Sequence, residues 1–227
     1  MSRRHLLSAG VLAAALLTPA PLSAVAQAEP GCTDAQLIMA RGTDFDDGLF
    51  FAAPDAIPDY KVGEPLYAAL RAADPERSWS QYNVAYPADL VGARGVPIGN
   101  QDLVGHLRAQ AAACPDQVFV LAGYSQGANV VGNSIGMDSS SASVGGPVAL
   151  TVPAELEPRV RAVLLFGSPM HAEGKQVPEP YAARSRDFCE PGDPVCNGFT
   201  APGTDFEAHT NYYHFMPGAA SFVLTQI

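Results

Sequence analysis

The stretch VFVLAGYSQGANVV, Val118 to Val131, predicts the centre of the fold. Its apolar run ends at Gly123, and a segment of small residues with helical potential begins after Gly127. Gly-Tyr-Ser-Gln-Gly therefore stands between a candidate strand and a candidate helix, which is the setting in which a G-x-S-x-G turn presents a nucleophilic serine. We interpret Ser125 as that nucleophile. The alternative is an ordinary strand-to-helix turn whose serine caps the helix.

The rest of the chain alternates candidate strands with candidate helices. Short apolar or alternating runs predict strands at Gln36–Ala40, Trp79–Tyr86, Val118–Ala122, Ala162–Phe166 and Ser185–Phe188. Helical spacing of Leu and Ala, or small residues after the serine, predicts helices at Pro65–Ala73, Asn100–Ala113 and Asn129–Gly136. This alternation is typical of the α/β class, in which a mostly parallel sheet carries helices on both faces.

Four further segments have less regular patterns. Leu90–Ile98 is rich in Gly and Pro and predicts a loop, and Met137–Pro153 predicts a Ser- and Gly-rich surface loop that is a candidate flap. Glu155–Arg161 predicts a short helix, and a terminal helix is expected from His209 onward. Because the chain shows no internal repeat and no linker, a single domain is expected.

The first 28 residues predict a leader that is not part of this domain. Arg3 and Arg4 precede an apolar run, Leu6–Leu17, and Ala26–Ala28 is a small-x-small cleavage site. This is the pattern of a secretory signal peptide, and the twin arginines leave both common export routes open. The expected mature domain spans residues 29–227. No other apolar run is long enough to cross a bilayer, so no integral membrane segment is expected.

The charge of the chain argues against an anionic partner. Its 13 basic and 23 acidic residues give a net charge of −10, and loss of Arg3 and Arg4 with the leader leaves −12. Such a protein is a poor candidate for binding nucleic acid or anionic lipid headgroups. A neutral substrate, or one that binds through apolar contacts, is expected.

Four cysteines in an exported chain favour two disulfides. Of the three possible pairings we favour Cys32–Cys114 and Cys189–Cys196, the second of which closes a short local loop around Asp193. In the chain-entropy model the long loop contributes about 4–5 kcal/mol of stability and the short one about 2.5 kcal/mol. The small contribution of the short loop suggests that it holds the backbone around Asp193. A metal site is the competing interpretation, but no C-x-x-C pair supports it.

A nucleophilic serine needs a base, and the base needs a group that orients it. Hydrolases of the strand-turn-helix type place these groups in the chain order Ser, acid, His. His171 precedes the good acid candidates, and we expect it to be a loop residue without a partner. His209 and His214 both remain candidates for the base.

Asp193 is the preferred candidate for the acid. It lies at the tip of the Cys189–Cys196 loop, which Pro191 and Pro194 stiffen, and a rigid loop suits a carboxylate that must hold one imidazole tautomer. Asp187 lies within a predicted strand, and a solvated turn aspartate is the alternative interpretation of Asp193.

An acyl-transfer site also needs two donors for the oxyanion. One is expected to be the backbone N–H of Gln126, the residue after the nucleophile. The second is expected from Thr43, in the Arg41-Gly42-Thr43 segment that follows the first predicted strand. A simple turn is the alternative interpretation of that segment.

Taken together, these motifs resemble those of the cutinase family, and in particular the exported cutinase-like esterases of actinobacteria. The resemblance rests on Cys32, Ala40-Arg41-Gly42-Thr43, Gly123-Tyr124-Ser125-Gln126-Gly127-Ala128, Cys189-x-x-x-Asp193-x-Val195-Cys196 and His209-x-x-Tyr212. It covers nearly the whole of the expected mature chain.

The resemblance implies a lidless α/β-hydrolase fold, with a mostly parallel central sheet flanked by helices. It implies a triad of Ser125, Asp193 and His209, and the His-x-x-Tyr pattern is what favours His209 over His214. It implies an oxyanion hole at Thr43 and Gln126, two disulfides at the paired cysteines, and hydrolysis of carboxylic esters without a cofactor or metal.

Three functions are therefore compared. The first is a secreted serine esterase for short- to medium-chain esters or polyesters. The second is a cell-envelope lipid esterase that hydrolyses mycolate esters or phospholipids. The expected location is extracellular, and association with the cell wall is left open. The third is a binding protein with a degenerate site, which the filled triad positions disfavour. The expected partners are ester, lipid or polyester substrates, with no nucleic acid, and the protein is expected to be a monomer.

Overall fold

A computed structural model describes residues 31–44 and 50–227. The predicted signal peptide and residues 45–49, shortly after Thr43, lie outside the described residues. Within the described residues, the strands are β1 Ala35–Ala40, β2 Trp79–Asn83, β3 Val118–Tyr124, β4 Val160–Phe166 and β5 Ser185–Phe188. They form a five-stranded sheet with the order β2-β1-β3-β4-β5, in which every neighbouring pair is parallel.

Helices cover both faces of this sheet. They are α1 Gly63–Ala73, α2 Gly92–Ala113, α3 Gln126–Ser134, α4 Pro169–Ala172, α5 Pro194–Asn197, α6 Phe206–His209 and α7 Met216–Leu224. Short 3₁₀ turns occupy Glu157–Arg159, Ala182–Arg184 and Tyr213–Phe215. The predicted α/β class and the central parallel sheet are confirmed.

Two apolar cores form because successive side chains of a strand point to opposite faces of the sheet. In β1, Ile38 and Ala40 belong to the core beneath α2 and α3, whereas Leu37 and Met39 belong to the core beneath α1 and α7. All six residues of β1 are buried. A strand that is buried on both faces is continuously apolar, and this is the pattern that predicted it.

Several element boundaries differ from the sequence expectation by two or three residues, as where β2 ends at Asn83 and not at Tyr86, but two segments differ by more. Leu90–Ile98, predicted as a loop, is mostly the start of α2, with Pro97 inside the helix. Gly92 in this segment allows close packing, since a Cβ there would lie 2.1 Å from the backbone of Val144, and Gly99 just after it packs against Tyr86 and Val130. The terminal helix begins at Met216 and not at His209, which instead ends the short helix α6.

Two other irregular segments also take defined forms. The predicted helix Glu155–Arg161 is a single 3₁₀ turn that leads directly into β4. Met137–Pro153 contains no helix or strand, but it is folded against the core through the buried residues Met137 and Ala142. Asn133 binds this segment, since its side chain donates to Gly146 O and accepts from Ser139 N.

The Cys32–Cys114 disulfide joins the start of the described chain to the end of α2. The Cys189–Cys196 disulfide closes the segment between β5 and α5. In the described part of the chain, no helix is long and apolar enough to cross a membrane.

Candidate active site

Ser125 stands at the junction of β3 and α3 with φ 55° and ψ −119°. A non-glycine residue with positive φ is strained, and such strain is concentrated at functional sites. The surrounding backbone holds this conformation, because Ser125 N–H donates to Phe166 O at 2.8 Å and Ser125 O accepts from Ala128 N at 2.9 Å. The geometry is that of a nucleophile elbow.

The two glycines of the elbow allow the helix to approach the sheet. A Cβ on Gly123 would lie 2.3 Å from Gly127 O, and a Cβ on Gly127 would lie 2.0 Å from Ala40 O. Either side chain would push α3 away from the ends of β3 and β1. The G-x-S-x-G spacing is therefore a packing requirement as well as a motif.

His209 lies within hydrogen-bond distance of the serine. Its Nε2 is 2.9 Å from Ser125 Oγ, and its Nδ1 is 2.7 Å from Asp193 Oδ2. The ring packs against Tyr124 at a centroid distance of 5.1 Å, and the Tyr124 hydroxyl donates to His209 O at 2.6 Å. Ring and backbone of the histidine are thus both held by the residue before the serine.

Asp193 is fully buried and satisfied at both oxygens. Oδ1 accepts from Val195 N at 2.7 Å, which caps α5, while Oδ2 accepts from His209 and from the Tyr212 hydroxyl at 2.5 Å. Burial raises the pKa of Asp193, but the hydrogen bonds from His209 and Tyr212 outweigh burial and hold that pKa below its ordinary value. The carboxyl group is therefore kept ionised beside the imidazole.

The loop that carries Asp193 is fixed at several points. The Cys189–Cys196 disulfide closes it, and the Asn197 side chain donates to Glu190 O at 2.9 Å and to Asp193 O at 3.0 Å. These bonds fix the backbone on both sides of the carboxylate. Rigid support of this kind is what a positioned acid requires.

Gly167, which sequence reasoning did not single out, makes room for the histidine and the aspartate. It follows β4 with φ +57°, and a Cβ there would lie 2.9 Å from His209 Cε1 and 3.0 Å from Asp193 Oδ2. A glycine directly after a buried strand was visible in the sequence. Its role was not, because it depends on two side chains that are distant in the chain.

Thr43 and Gln126 also come together. The Thr43 hydroxyl donates to Gln126 Oε1 at 3.4 Å, and Gln126 Nε2 donates to Asp89 O at 2.8 Å. Gln126 is the first residue of α3, where backbone N–H groups have no partner inside the helix. The geometry is compatible with the predicted oxyanion hole, and the role of the two residues stays a prediction.

An apolar cleft of about 510 Å³ opens beside Ser125 and His209. Its apolar lining consists of Leu90, Val144, Val195, Phe199 and Phe206, together with Tyr124. Ser143 and Val144 belong to Met137–Pro153, so this segment borders the site, and its action as a flap stays a prediction. A second cleft of about 520 Å³ shares Thr43, Lys61 and Tyr124 with the first.

The other histidines have different partners. His171 Nδ1 is 3.0 Å from Asp187 Oδ2, so the expectation that His171 lacks a partner is wrong. The pairing was hidden because the two residues meet only when β4 and β5 lie side by side. His214 Nε2 is 3.0 Å from Glu190 Oε2 and its side chain is half exposed. Within the described residues, neither histidine is hydrogen-bonded to Ser125.

A family model described as Cutinase matches residues 31–227. The chain belongs to the cutinase family. The predicted family is thereby confirmed, and with it the expectation of a carboxylic ester hydrolase with an α/β-hydrolase fold.

Curated relatives agree with this family. The cutinase-family chain is 35% identical to a cutinase of Kineococcus radiotolerans over 184 residues, 80% of the chain and 56% of that relative's length. It is 31% identical to the probable carboxylesterase Culp3 of Mycobacterium tuberculosis over 234 residues, 100% of the chain and 82% of the relative. It is also 31% identical to phospholipase Culp4 of the same species, covering 98% of the chain and 90% of that protein.

Solved structures resemble this cutinase-family chain as well. A Trichoderma reesei cutinase in complex with a phosphonate inhibitor aligns with a TM-score of 0.62 and 26% identity, covering 86% of the chain and 77% of that structure. The catalytic core of a T. reesei acetyl xylan esterase aligns with a TM-score of 0.63 and 22% identity, covering 86% and 100%. The second likeness concerns the fold alone. Disulfides and relatives together are consistent with a secreted protein.

Proposed function

We propose that this chain is a secreted serine esterase that hydrolyses short- to medium-chain carboxylic esters or polyesters through an acyl-enzyme. One observation carries the proposal. Ser125 Oγ, His209 and Asp193 form a continuous hydrogen-bonded series, 2.9 Å and then 2.7 Å, beside an apolar cleft. Nucleophile, base and orienting acid are the parts that a serine hydrolase requires.

The proposed reaction has two halves. His209 Nε2 takes the proton of Ser125 Oγ as the oxygen attacks the ester carbonyl, and Asp193 stabilises the imidazolium that forms. The backbone N–H groups of Thr43 and Gln126 stabilise the oxyanion. His209 then protonates the leaving alcohol. Water attacks the acyl-enzyme with His209 again acting as the base, the acyl–Ser125 bond breaks to release the carboxylic acid, and His209 returns the proton to Ser125 Oγ.

The apolar cleft supports an acyl group of modest length. The apolar residues of its lining, Leu90, Val144, Val195, Phe199 and Phe206, offer dispersion contacts to an acyl chain, and the lining also includes Lys61. We also propose that the enzyme acts as a monomer, because the cleft and all three proposed catalytic residues come from one chain. Light scattering after size-exclusion chromatography tests that point.

A lipid esterase of the cell envelope is the second candidate function. It is favoured by the relative named phospholipase Culp4 and by the second cleft, which adjoins the first at Thr43. Two adjoining clefts give room for a substrate with two bulky parts.

A substrate panel separates these functions. p-Nitrophenyl esters from acetyl to palmitoyl are compared with a polyester film and with a cell-envelope lipid extract, each incubated with wild type and with Ser125→Ala. We expect the highest kcat/KM on short and medium acyl chains. A preference for the lipid extract would favour the second function.

Ser125→Ala should lose about 10⁶-fold in kcat, as expected when a nucleophile is removed, and keep a melting temperature near that of wild type. A serine-reactive phosphonate should label wild type and not the variant. Ester hydrolysis by Ser125→Ala within tenfold of wild type would contradict the proposed nucleophile.

A further inference from the structure

The hydrogen bond between Tyr212 and Asp193 gives the proposed triad a fourth member. Tyr212 is fully buried, and its hydroxyl lies 2.5 Å from Asp193 Oδ2, the oxygen that also accepts from His209. One carboxylate oxygen therefore holds two donors at once. The other carboxylate oxygen, Oδ1, accepts from the backbone N–H of Val195 at 2.7 Å.

The direction of this bond follows from the partners of Tyr212. Glu190 N–H donates to the Tyr212 oxygen at 3.1 Å. Because a phenol has one proton and an ionised carboxylate can only accept, that proton is directed at Asp193. Burial raises the pKa of Tyr212, so the hydroxyl keeps its proton at working pH.

Aromatic contacts hold the Tyr212 ring in place. Tyr124, Phe166 and Phe215 surround it with centroid distances of 5.8, 6.1 and 5.8 Å. The three-residue step from His209 to Tyr212 matters as well, since one short segment supplies the base and a donor to its acid. The Tyr124 hydroxyl anchors that segment at His209 O.

We propose that Tyr212 is a positioning residue for the ester-hydrolysis reaction, and that its hydroxyl orients the Asp193 carboxylate and keeps it ionised when His209 becomes protonated. This inference rests on the proposed function of Ser125, His209 and Asp193. It adds a residue that touches neither the nucleophile nor the cleft.

Tyr212→Phe removes the hydroxyl and leaves the ring within its aromatic surroundings. Without that donor, Asp193 is a more basic carboxylate and a stronger acceptor for His209, so the proton they share is held more tightly. The acid limb of the kcat/KM profile should move to higher pH. Hydrogen bonds to charged groups are worth about 1.5–3 kcal/mol, so a loss of about tenfold or more in kcat is expected, with little change in KM.

The other titratable groups near the Tyr212–Asp193 hydrogen bond are the same in wild type and in Tyr212→Phe. They are His209, Tyr124 and Glu190, and the Glu190 carboxylate is paired with His214. A change in the pH profile of Tyr212→Phe therefore reports the missing hydroxyl.

The chain offers a matched control in Tyr82→Phe. The Tyr82 hydroxyl donates to Asp102 Oδ2 at 2.9 Å, between β2 and α2 and away from the cleft. That variant also loses a tyrosine–aspartate hydrogen bond, and it should keep the wild-type kcat and pH profile. Melting temperatures and titration with a phosphonate give the folded, active fraction of each protein, so that kcat refers to active molecules only.

The outcomes are distinct. A lower kcat and a raised acid limb in Tyr212→Phe, with partial recovery at higher pH and a shifted His209 Nδ1 proton resonance, support the proposal. A folded Tyr212→Phe with wild-type kcat and profile overturns it, and so does a loss of stability with an unchanged profile. Absence of ester hydrolysis in wild type would instead count against the proposed function.

Discussion

Two histidine–aspartate pairs lie near the same edge of the sheet and differ in almost everything except their composition. His209–Asp193 has a 2.7 Å contact and is buried, whereas His171–Asp187 has a 3.0 Å contact and its imidazole is 46% exposed. The first pair continues to Ser125 on one side and Tyr212 on the other.

The pKa of the two carboxyl groups moves in opposite directions. Burial raises the pKa of both, but at Asp193 the donated hydrogen bonds outweigh burial, whereas at Asp187 the contact with His171 offsets it only in part. The two histidine–aspartate pairs therefore differ in the protonation state of the carboxyl group that their surroundings favour. The additional donors around the carboxylate distinguish the two pairs.

The largest expected difference between the pairs is at the histidines. His209→Ala should lose about 10⁶-fold in kcat on p-nitrophenyl butyrate, because in a triad loss of the base costs as much as loss of the nucleophile. His171→Ala should keep kcat near wild type, and so should His214→Ala. Steady-state kinetics of the three variants check this. An inactive His171→Ala with an active His209→Ala would reverse the assignment of the pairs.

The aspartates should differ by less. Asp193→Asn should lose about 10⁴-fold in kcat, the loss known for the serine-protease triad when its aspartate is amidated, while Asp187→Asn stays near wild type. At neutral pH, Asp193→Asn and Asp187→Asn should also differ in the direction in which they change the free energy of unfolding.

The sign at each aspartate follows from its pKa. The lowered pKa of Asp193 stabilises the fold above the ordinary aspartate pKa, and this stability is lost as the pH falls through the folded-state value. The raised pKa of Asp187 favours the neutral form, so its contribution is lost as the pH rises. Chemical denaturation at neutral pH should find Asp193→Asn less stable than wild type and Asp187→Asn at least as stable. An Asp187→Asn variant that is less stable than wild type at neutral pH would refute the prediction for Asp187.

The smallest expected effects concern the backbone segments that hold the two aspartates in place. Asp187 stands on β5, whereas Asp193 stands on a loop that the Cys189–Cys196 disulfide closes. Cys189→Ser/Cys196→Ser should therefore lose activity out of proportion to stability, for which loop closure predicts a loss of only about 2.5 kcal/mol. Cys32→Ser/Cys114→Ser, with a predicted loss of about 4.5 kcal/mol, should melt earlier and stay active where folded.

Activity measured well below the melting temperature, together with thermal unfolding, compares the two disulfide variants. Full activity of a folded Cys189→Ser/Cys196→Ser would show that Asn197 and the prolines are sufficient to place Asp193.

The sequence alone predicted those structural features that depend on residues close together in the chain. Continuous apolar runs marked β1, β3 and β4 because strands buried on both faces need no polar residues. The elbow at Ser125 was predicted because its two glycines allow a sharp turn. Asp193 was preferred because it lies on a short loop between two cysteines, and the family resemblance then favoured His209 over His214. These local patterns were sufficient for the fold class and for the candidate triad.

Only the tertiary structure decided which distant residues meet. The contacts of Tyr212 with Asp193, of His171 with Asp187, and of Gly167 with the catalytic candidates join different elements, and no spacing in the chain encodes them. The helical start of α2 was missed for the same reason, since its glycines pack closely against distant residues such as Val130 and Val144. Burial and neighbouring donors, which set the pKa of each aspartate, exist only once the sheet has brought these elements together.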